Sequence, residues 1–262
     1  MKRTLLALGA LLLTGALVPA SSVAQVVAIG VTSSPVIAPT CPSGVSQADC
    51  AIVLEQMTAV ETLRDGVSSP ALVHYSGELF SFTVGISAIS KCASGASASV
   101  CKADKKTLAS DEKFLNGSYG GPPSVQITVL RQVGAPSHER WEVAAQSSPV
   151  EVQRYLGKVA DFPLTQGLPV IPGEVIALTV PTWAPVLSFD LSTSKFAYRQ
   201  SRRTSCKSVT TSEQAELTIG QQAMFGCNYT GTRVEYSASE SVSPAPSAAF
   251  RRAKFRLRST AS

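Results

Sequence analysis

Histidines are the first side chains to consider for catalysis, and the sequence contains two, His74 and His138. His138 begins the segment HERWE, which shares its first two residues with the zinc-binding pattern H-E-x-x-H but ends in Glu142. A zinc protease needs two imidazoles one helical turn apart, so we interpret His138 as a loop residue and expect no metal site. The nucleophile elbow G-x-S-x-G is also missing. A Ser-His-Asp triad assembled from distant segments stays open, although two histidines leave few ways to build one.

Carboxylates are the next group, because glycosidases need two of them about 5 to 9.5 Å apart across a cleft. None of the candidates has a signature context, and we interpret them as solvated: Asp111, Glu112, Glu142, Asp161, Glu174 and Asp190. The glycine-rich loops that bind nucleotides are absent from the sequence, so we expect no cofactor. An extracellular hydrolase acting on glycans is therefore the alternative hypothesis, and a protein without catalytic residues is the preferred one.

Aromatic residues could instead bind a sugar by stacking on its ring. The segment VIPGEVIALTVPTWAPVL, residues 170–187, predicts a strand with two buried faces, followed by Trp183. Pro181 has no N–H to donate, so we expect pairing to end there and Trp183 to lie just past the strand. Trp183 would then either stack on a ligand, together with Tyr198, Tyr229 or Trp141, or fill the rim of the core. We favour the rim, because large aromatic side chains are usually buried.

The six cysteines favour a disulfide framework. Their spacing favours three local bridges, Cys41–Cys50, Cys92–Cys101 and Cys206–Cys227, of which the first two enclose eight residues each and the last encloses twenty. The sequence contains no C-x-x-C pair, so a zinc site is disfavoured.

The N-terminus has the three parts of a secretory signal peptide: Lys2 and Arg3, the apolar stretch Leu5 to Val18, and small residues before position 25. The apolar stretch is shorter than the roughly 20 residues of a membrane span. We expect cleavage after Ala24, a secreted, extracellular protein, and no transmembrane segment thereafter. Secretion also agrees with the disulfides.

Charge separates the body of the chain from its C-terminal end. The formal net charge is +5, yet residues 25–250 carry 16 basic against 18 acidic residues, a balance of −2. This disfavours nucleic acid as a partner, because binding phosphates requires clustered Lys and Arg. Five basic residues lie in FRRAKFRLRS near the end, interleaved with apolar side chains. This tail is either a solvated end or an anchor for an anionic surface.

The remaining pattern predicts strands. In LFSFTVGIS, alternation of Phe80, Phe82, Val84 and Ile86 with small polar residues predicts a half-buried strand. Further strands are predicted at Val125–Val129, Trp141–Ala145, VEVQRYL, EVIALTV, KFAYRQS, AMFGCNYTG and RVEYSAS. Residues 91–110 are interpreted as a polar insert, 116–124 as turns, and the chain from Ser239 as disordered. The segment from Cys50 to Leu63 stays ambiguous: it begins with a short β-like run, Ala51 to Leu54, whereas its apolar spacing favours a helix.

The order of these segments resembles a family of secreted actinobacterial β-sandwich proteins. The resemblance covers roughly residues 40–239 and is most specific at ALTVPTWAP; GELFSFTVGIS, EVQRYLGKVADFPL and FGCNYTGTRVEYSAS add to it. It implies a jelly-roll-like sandwich and an extracellular location, and it implies no activity. It also favours a strand at Ala51 to Gln56. This chain departs from the family at Tyr198, where a nearby Trp is expected, in the Cys92–Cys101 insert and in the basic tail.

Together these observations predict an all-β protein with one antiparallel, jelly-roll-like β-sandwich. We expect a signal peptide over 1–24, an extended lead-in over 25–40, the sandwich over 41–239 and a Ser/Pro/Arg-rich tail over 240–262. The expected role is binding or structure at the cell envelope. A cell-envelope polymer or a carbohydrate is the expected partner.

Overall fold

A computed structural model describes residues 25–39, 53–88, 105–134, 140–202 and 216–242. This part contains one α-helix, α1 (Lys105–Ser118), and a short 3₁₀ helix at Gln153–Tyr155. The strands are, in chain order, β1 Gln25–Ile29, β2 Leu54–Arg64, β3 Val67–Ser68, β4 Gly77–Ile86, β5 Ser124–Val133, β6 Arg140–Gln146, β7 Val150–Glu151, β8 Lys158–Val170, β9 Val175–Ala184, β10 Leu187–Ser188, β11 Ala197–Gln200, β12 Gln222–Ala223, β13 Cys227–Thr230, β14 Arg233–Val234 and β15 Tyr236–Val242. The described part contains no helix long and apolar enough to cross a bilayer.

These strands form two main antiparallel sheets. The smaller sheet has the order β1-β15-β4-β8. The larger has the order β12-β6-β5-β9-β2-β11-β13, with β3 added to β2 and β7 to β5. One core cluster joins them: Phe82 and Val84 of β4 belong to it together with Ile127 of β5 and Leu178 of β9. The prediction of an all-β sandwich is confirmed.

Tyr236 connects the two sheets by hydrogen bonds as well as by packing. It lies on β15 of the smaller sheet, yet its hydroxyl donates to the Ile176 carbonyl of β9 at 2.8 Å. The same oxygen accepts the Glu61 N–H of β2 at 3.3 Å. The ladder between β2 and β9 stops at Ala59 and Leu178, so the tyrosine satisfies backbone groups that the two strands no longer satisfy for each other.

β9 is the central strand of the larger sheet, as its apolar run predicts. Its first six residues are buried. One face packs in the core, and the other carries Thr179, whose Oγ1 lies 2.8 Å from Thr58 Oγ1 and 2.7 Å from Thr128 Oγ1. Gln146 Nε2 donates to Thr128 Oγ1 at 2.9 Å and to the Leu217 carbonyl at 3.0 Å. The second face is therefore covered through paired hydroxyl groups and not through apolar packing alone.

The expectation that Pro181 ends β9 is wrong. Pairing with β2 continues through Trp183, which lies opposite Glu55, to Ala184. The register shifts between Glu55 and Met57, where Gln56 has a φ of 45°. A bulge of this kind leaves a residue unpaired, so the missing N–H of Pro181 falls where no ladder bond is required.

The ambiguous segment after Cys50 forms a strand, because β2 spans Leu54–Arg64. The family resemblance favours this outcome, whereas the helical spacing of Val53, Met57 and Val60 is misleading. Adjacent residues Thr58 and Ala59 are both fully buried, on opposite faces of the sheet. A strand covered on both faces carries apolar residues without a period of two, so its pattern can imitate a helix.

The alternation predicted for β4 is partly wrong, because this strand also contains a bulge. Phe82, Val84 and Ile86 are buried as expected, but Phe80 is exposed and Leu79 is buried in its place. The register to both neighbouring strands shifts between Leu79 and Ser81. One extra residue reverses the phase of the alternation, so the first half of β4 buries its odd positions.

Several segments differ from their sequence-based prediction. Residues 105–118 form α1, which overlaps the polar insert interpreted over 91–110 and the turns interpreted over 116–124. VEVQRYL forms β7 and the 3₁₀ helix instead of a full strand. β8, a long edge strand next to β4, was missed. Residues 239–242 belong to β15, so the sandwich extends past the predicted boundary.

The lead-in segment is integrated into the sandwich. β1 pairs with β15 along its whole length, from Gln25 opposite Val242 to Ile29 opposite Ala238. We call the residues that follow, 30–37, the strap. Arg64, fully buried, donates to the strap carbonyls of Gly30 and Ser34, and Arg233 donates to that of Pro35.

Carboxylates on the sandwich complete the attachment of the strap. Glu235 Oε2 accepts a hydrogen bond from the Ile37 N–H at 3.2 Å and also forms an ion pair with Arg233. Asp65 accepts the Ser34 N–H at 2.8 Å and the Ser34 hydroxyl at 2.6 Å. The strap is thus fixed along most of its length by charged groups, of which Arg64, Arg233 and Glu235 are buried and Asp65 is half-buried.

Candidate ligand-binding site

Trp183, the main candidate for stacking on a sugar, is fully buried, with an exposed fraction of 0%. Its Nε1 donates to Asn116 Oδ1 at 2.9 Å and to the Gly121 carbonyl at 3.1 Å, at the C-terminal end of α1. The indole therefore presents no ring face to a ligand, and its polar atom already has two acceptors.

The other three aromatic candidates are only partly brought together. Tyr198 and Tyr229 lie opposite each other on β11 and β13 and stack with centroids 5.2 Å apart. Tyr198 is buried and its hydroxyl accepts from Gln200 Nε2 at 2.7 Å; burial raises its pKa. Trp141 is on β6, and three strands lie between β6 and β11. The two strands are therefore four strand spacings apart, which at about 4.8 Å per spacing is about 19 Å along the sheet. The four side chains do not form one stacking surface.

Four of the six candidate carboxylates have structural partners. Glu112 accepts from Gln153 Nε2 at 2.8 Å, Glu142 accepts from Gln222 Nε2 at 2.8 Å, and Asp161 accepts from the Thr83 hydroxyl. Glu174 is buried and pairs with Arg131, whose Nη2 lies 2.7 Å from Oε1. Asp190 is exposed with a φ of 58°, and the Asp111 side chain lies outside the description. A catalytic carboxylate pair is not evident among the described side chains.

Most of the predicted disulfide framework lies outside the described residues, as do His138, the signal peptide and the tail. Cys41, Cys50, Cys92, Cys101 and Cys206 are all in these segments. Cys227 is described: it is buried on β13, opposite Gln200. The three bridges therefore stay predictions.

A pocket of about 270 Å³ is lined by residues of both sheets and of the strap. β1, β15 and the start of the strap contribute one wall, and β3 with the segment that follows it, residues 69–75, contributes the other. At roughly 30 Å³ per water molecule this is room for about nine waters, or one small organic group. We call it the Glu240 pocket after the residue that distinguishes it.

Glu240 lines this pocket and is completely buried, with an exposed fraction of 0%. Neither of its carboxylate oxygens has a hydrogen-bond partner. In the register Glu240 lies opposite Leu79, which is also fully buried, so the carboxylate is on the inner face of the smaller sheet. Burial raises the pKa of Glu240, and the nearby His74 imidazole opposes that rise. Two unpaired buried acceptors are unusual in a folded protein.

A glycine makes room for this carboxylate. A Cβ on Gly77 would lie 2.8 Å from Glu240 Oε1 and would overlap the Ser241 carbonyl oxygen. The side chain of Glu240 therefore occupies the space that any other residue at position 77 would fill.

The mouth of the pocket combines polar and apolar side chains. His74 and Tyr75 line it, and Tyr75 has 51% of its surface exposed. Val31 and Val67 also line it and are exposed to a similar degree. Ser69, which adopts a φ of 51°, contributes a further hydroxyl-bearing residue. Aromatic and aliphatic groups around a few convergent polar atoms are typical of ligand sites.

The walls of the pocket are held by one buried charge and by backbone contacts. Arg64 bonds the Gly30 carbonyl, one residue before Val31, and the Ser69 N–H donates to the Thr62 carbonyl at 3.0 Å. Leu72 bridges to Val175 of β9. A cavity with walls fixed in this way needs little ordering when a ligand binds.

Sequence reasoning missed Glu240 because it lies in the segment interpreted as disordered. A signal was present: Tyr236, Ala238 and Glu240 alternate in phase, which places a glutamate at a core position of the last strand. Tyr75 belongs to no sequence motif, so its place at the pocket could not be predicted from the sequence.

The described residues contain no group of three or more His, Cys, Asp or Glu side chains that could hold a metal ion. The resemblance to a secreted actinobacterial family stays a prediction. Comparison of the chain with protein-family models, with curated proteins and with solved structures finds no match in any of the three.

Proposed function

We propose that this chain is a secreted, non-catalytic β-sandwich protein that binds a ligand at the cell envelope, and that the Glu240 pocket is its binding site. One observation carries the proposal: a completely buried carboxylate with two unpaired oxygens lines a pocket whose mouth is aromatic and apolar. Burying a charged group without a partner costs free energy of folding. A ligand that donates hydrogen bonds to Glu240 would remove that cost in the complex.

Binding fits the described geometry better than hydrolysis does. Four of the six candidate carboxylates are engaged by Gln153, Gln222, Thr83 and Arg131. Glu240 has no carboxylate partner in the pocket, because the other titratable side chains among the described lining residues are His74 and Tyr75. A glycosidase needs an acid and a base or nucleophile, and the pocket supplies one carboxylate.

The location at the envelope rests on the two ends of the chain. The predicted signal peptide and the three predicted disulfides support secretion. The five positive charges near the C-terminus support contact with an anionic surface, at about 1 kcal/mol per charge near such a surface. Deleting residues 250–262, or adding about 0.5 M NaCl, should therefore release the protein from isolated envelopes, because salt screens exposed charges. Equal partitioning of truncated and full-length protein at low salt would contradict the anchor.

The pocket itself is tested by a sedimentation assay with insoluble envelope polymers. The protein comprising residues 25–262 should bind, and Tyr75→Ala should weaken binding several-fold, because the exposed Tyr75 ring is at the mouth of the pocket. Phe114→Ala is the matched control, since Phe114 is an exposed aromatic residue on α1 and does not line the pocket. Equal loss in both variants, or loss in neither, would overturn the role of the pocket.

The same protein should be screened for turnover of glycans, esters and peptides. We expect no hydrolysis above the level of the Glu240→Gln variant. Turnover that disappears in Glu240→Gln would replace the binding proposal with the hydrolase hypothesis.

A further inference from the structure

We infer that the Glu240 pocket recognises an organic cation, namely a primary ammonium or guanidinium group carried on a short apolar stem. This inference rests on the proposed function and adds the chemical class of the ligand. It follows from the side chains that line the pocket and from the two Glu240 carboxylate oxygens, which have no hydrogen-bond partner.

The carboxylate of Glu240 provides acceptors and negative charge, and the basic side chain near it is His74. Neither Lys nor Arg pairs with it among the described residues, although the other buried acidic side chains Glu61, Glu174 and Glu235 each have an arginine. An ionised carboxylate accepts hydrogen bonds and donates none, so its complement is a donor group with positive charge. Ammonium and guanidinium groups are such donors, and their bonds to a carboxylate are charge-assisted.

The mouth of the pocket favours a cation that carries carbon atoms. The exposed ring of Tyr75 can attract a positive charge through its π face. Val31 and Val67 provide apolar surface beside it. Ser69 adds a hydroxyl oxygen as a further acceptor. A pocket of about 270 Å³ accommodates one ionic group and a few carbon atoms.

Other ligand classes fit less well. A metal ion would need several oxygen or nitrogen ligands, and the described residues provide no group of three. An anion would be repelled by Glu240. A neutral sugar could donate hydroxyl groups to the carboxylate without compensating its charge, so neutral sugars are the discriminating alternative in the experiment.

The experiment is an NMR titration of the ¹⁵N-labelled protein, residues 25–262, with four probes: n-butylammonium, n-butylguanidinium, 1-butanol and glucose. We expect the two cations to shift the backbone amide signals of Thr32, His74 and Tyr75, which line the pocket. Their apparent Kd should be at least tenfold lower than those of 1-butanol and glucose. The comparison with 1-butanol isolates the ionic group, because the apolar stem is the same.

Two isosteric variants assign the effect to Glu240. Glu240→Gln should reduce cation binding at least tenfold while keeping or raising the Tm, because it removes a buried unpaired charge. Glu78→Gln is the matched control: it neutralises an exposed carboxylate on the neighbouring strand, opposite Ser241, and should leave binding unchanged.

The outcomes separate this inference from the proposed function. If 1-butanol binds as well as the cations, or Glu240→Gln binds cations as well as the wild type, the cation inference is wrong. If glucose shifts the pocket signals and the cations do not, the inference fails while the binding site stands. If no probe shifts those signals and Tyr75→Ala sediments with envelope polymers like the wild type, both proposals fail.

Discussion

Gly85 and Ile37 are in such close contact that a Cβ on Gly85 would overlap the carbonyl oxygen of Ile37. Gly85 is on β4 and donates its N–H to the Glu235 carbonyl at 2.8 Å, so it cannot move away freely. Gly85→Ala should therefore displace the strap or distort β4, at a cost of about 1 to 3 kcal/mol in the free energy of unfolding. Urea unfolding measures this loss. Gly226→Ala is the control, because a Cβ there meets no atom within 4 Å; equal stability of the two variants would contradict the close contact.

Glu61 should make stability depend on pH. Burial raises the pKa of Glu61 to about 8, although Arg64 and Arg233 act to lower it. Between pH 4.5, the ordinary pKa of the group, and about pH 8, Glu61 is ionised in the unfolded chain but keeps its proton in the folded protein. The free energy of unfolding therefore falls as pH rises through this window.

Glu61→Gln removes this proton and should flatten the decline. Urea unfolding of both proteins at several pH values between 4.5 and 8 gives the difference, in which the contributions of other buried carboxyls cancel. Parallel curves would show that Glu61 is ionised in the folded protein throughout.

Trp183 should be important for stability. Trp183→Ala removes a fully buried indole, and truncating such a side chain typically costs about 3 to 5 kcal/mol. Trp183→Phe keeps most of the apolar volume and loses the bonds to Asn116 and Gly121, so its cost should be smaller. Phe114→Ala, on the surface of α1, should change stability by no more than about 0.5 kcal/mol. A soluble Trp183→Ala protein with wild-type stability would contradict this prediction.

The three local disulfides can be tested by peptide mapping of the secreted protein. We expect cross-linked peptides for Cys41–Cys50, Cys92–Cys101 and Cys206–Cys227, and no free thiol. Losing Cys206–Cys227 should lower stability most, by about 2 to 4 kcal/mol, because it closes the longest loop and ends on the buried Cys227 of β13. Cys206→Ser should then be as destabilising as the double change at both positions. A bridge between distant loops would refute the local pairing.

Regular alternation allowed much of the sandwich to be predicted from the sequence, and irregular positions account for most of the differences. The run Val175–Val180 is buried and central as its composition indicates. Phe80 is misplaced because a bulge reverses the alternation. Pro181 is misread because it belongs to a bulge, in which Pro181 and Thr182 of β9 lie opposite the single residue Gln56 of β2. A bulge depends on the register between strands, which one strand's sequence does not reveal.

The candidate site was less predictable than the fold. The aromatic residues were identified as candidates by residue type, but burial and strand order decide whether they reach a ligand, and Trp183 and Trp141 are on different strands. Glu240 belongs to a pocket formed by segments from both ends of the domain, β1 and β15. Such a juxtaposition arises from long-range pairing, which local patterns do not encode.

The pairing of β1 with β15 has a consequence for the order of folding. β1 leaves the ribosome first among the described strands and its partner leaves last, so the smaller sheet cannot be completed until the whole domain has emerged. Contacts of such high sequence separation slow folding. Until β15 is available, β1 is an unpaired edge with apolar residues, the type of segment that invites pairing with another chain. Any chaperone that holds this protein before it is complete would be expected to cover its first strand.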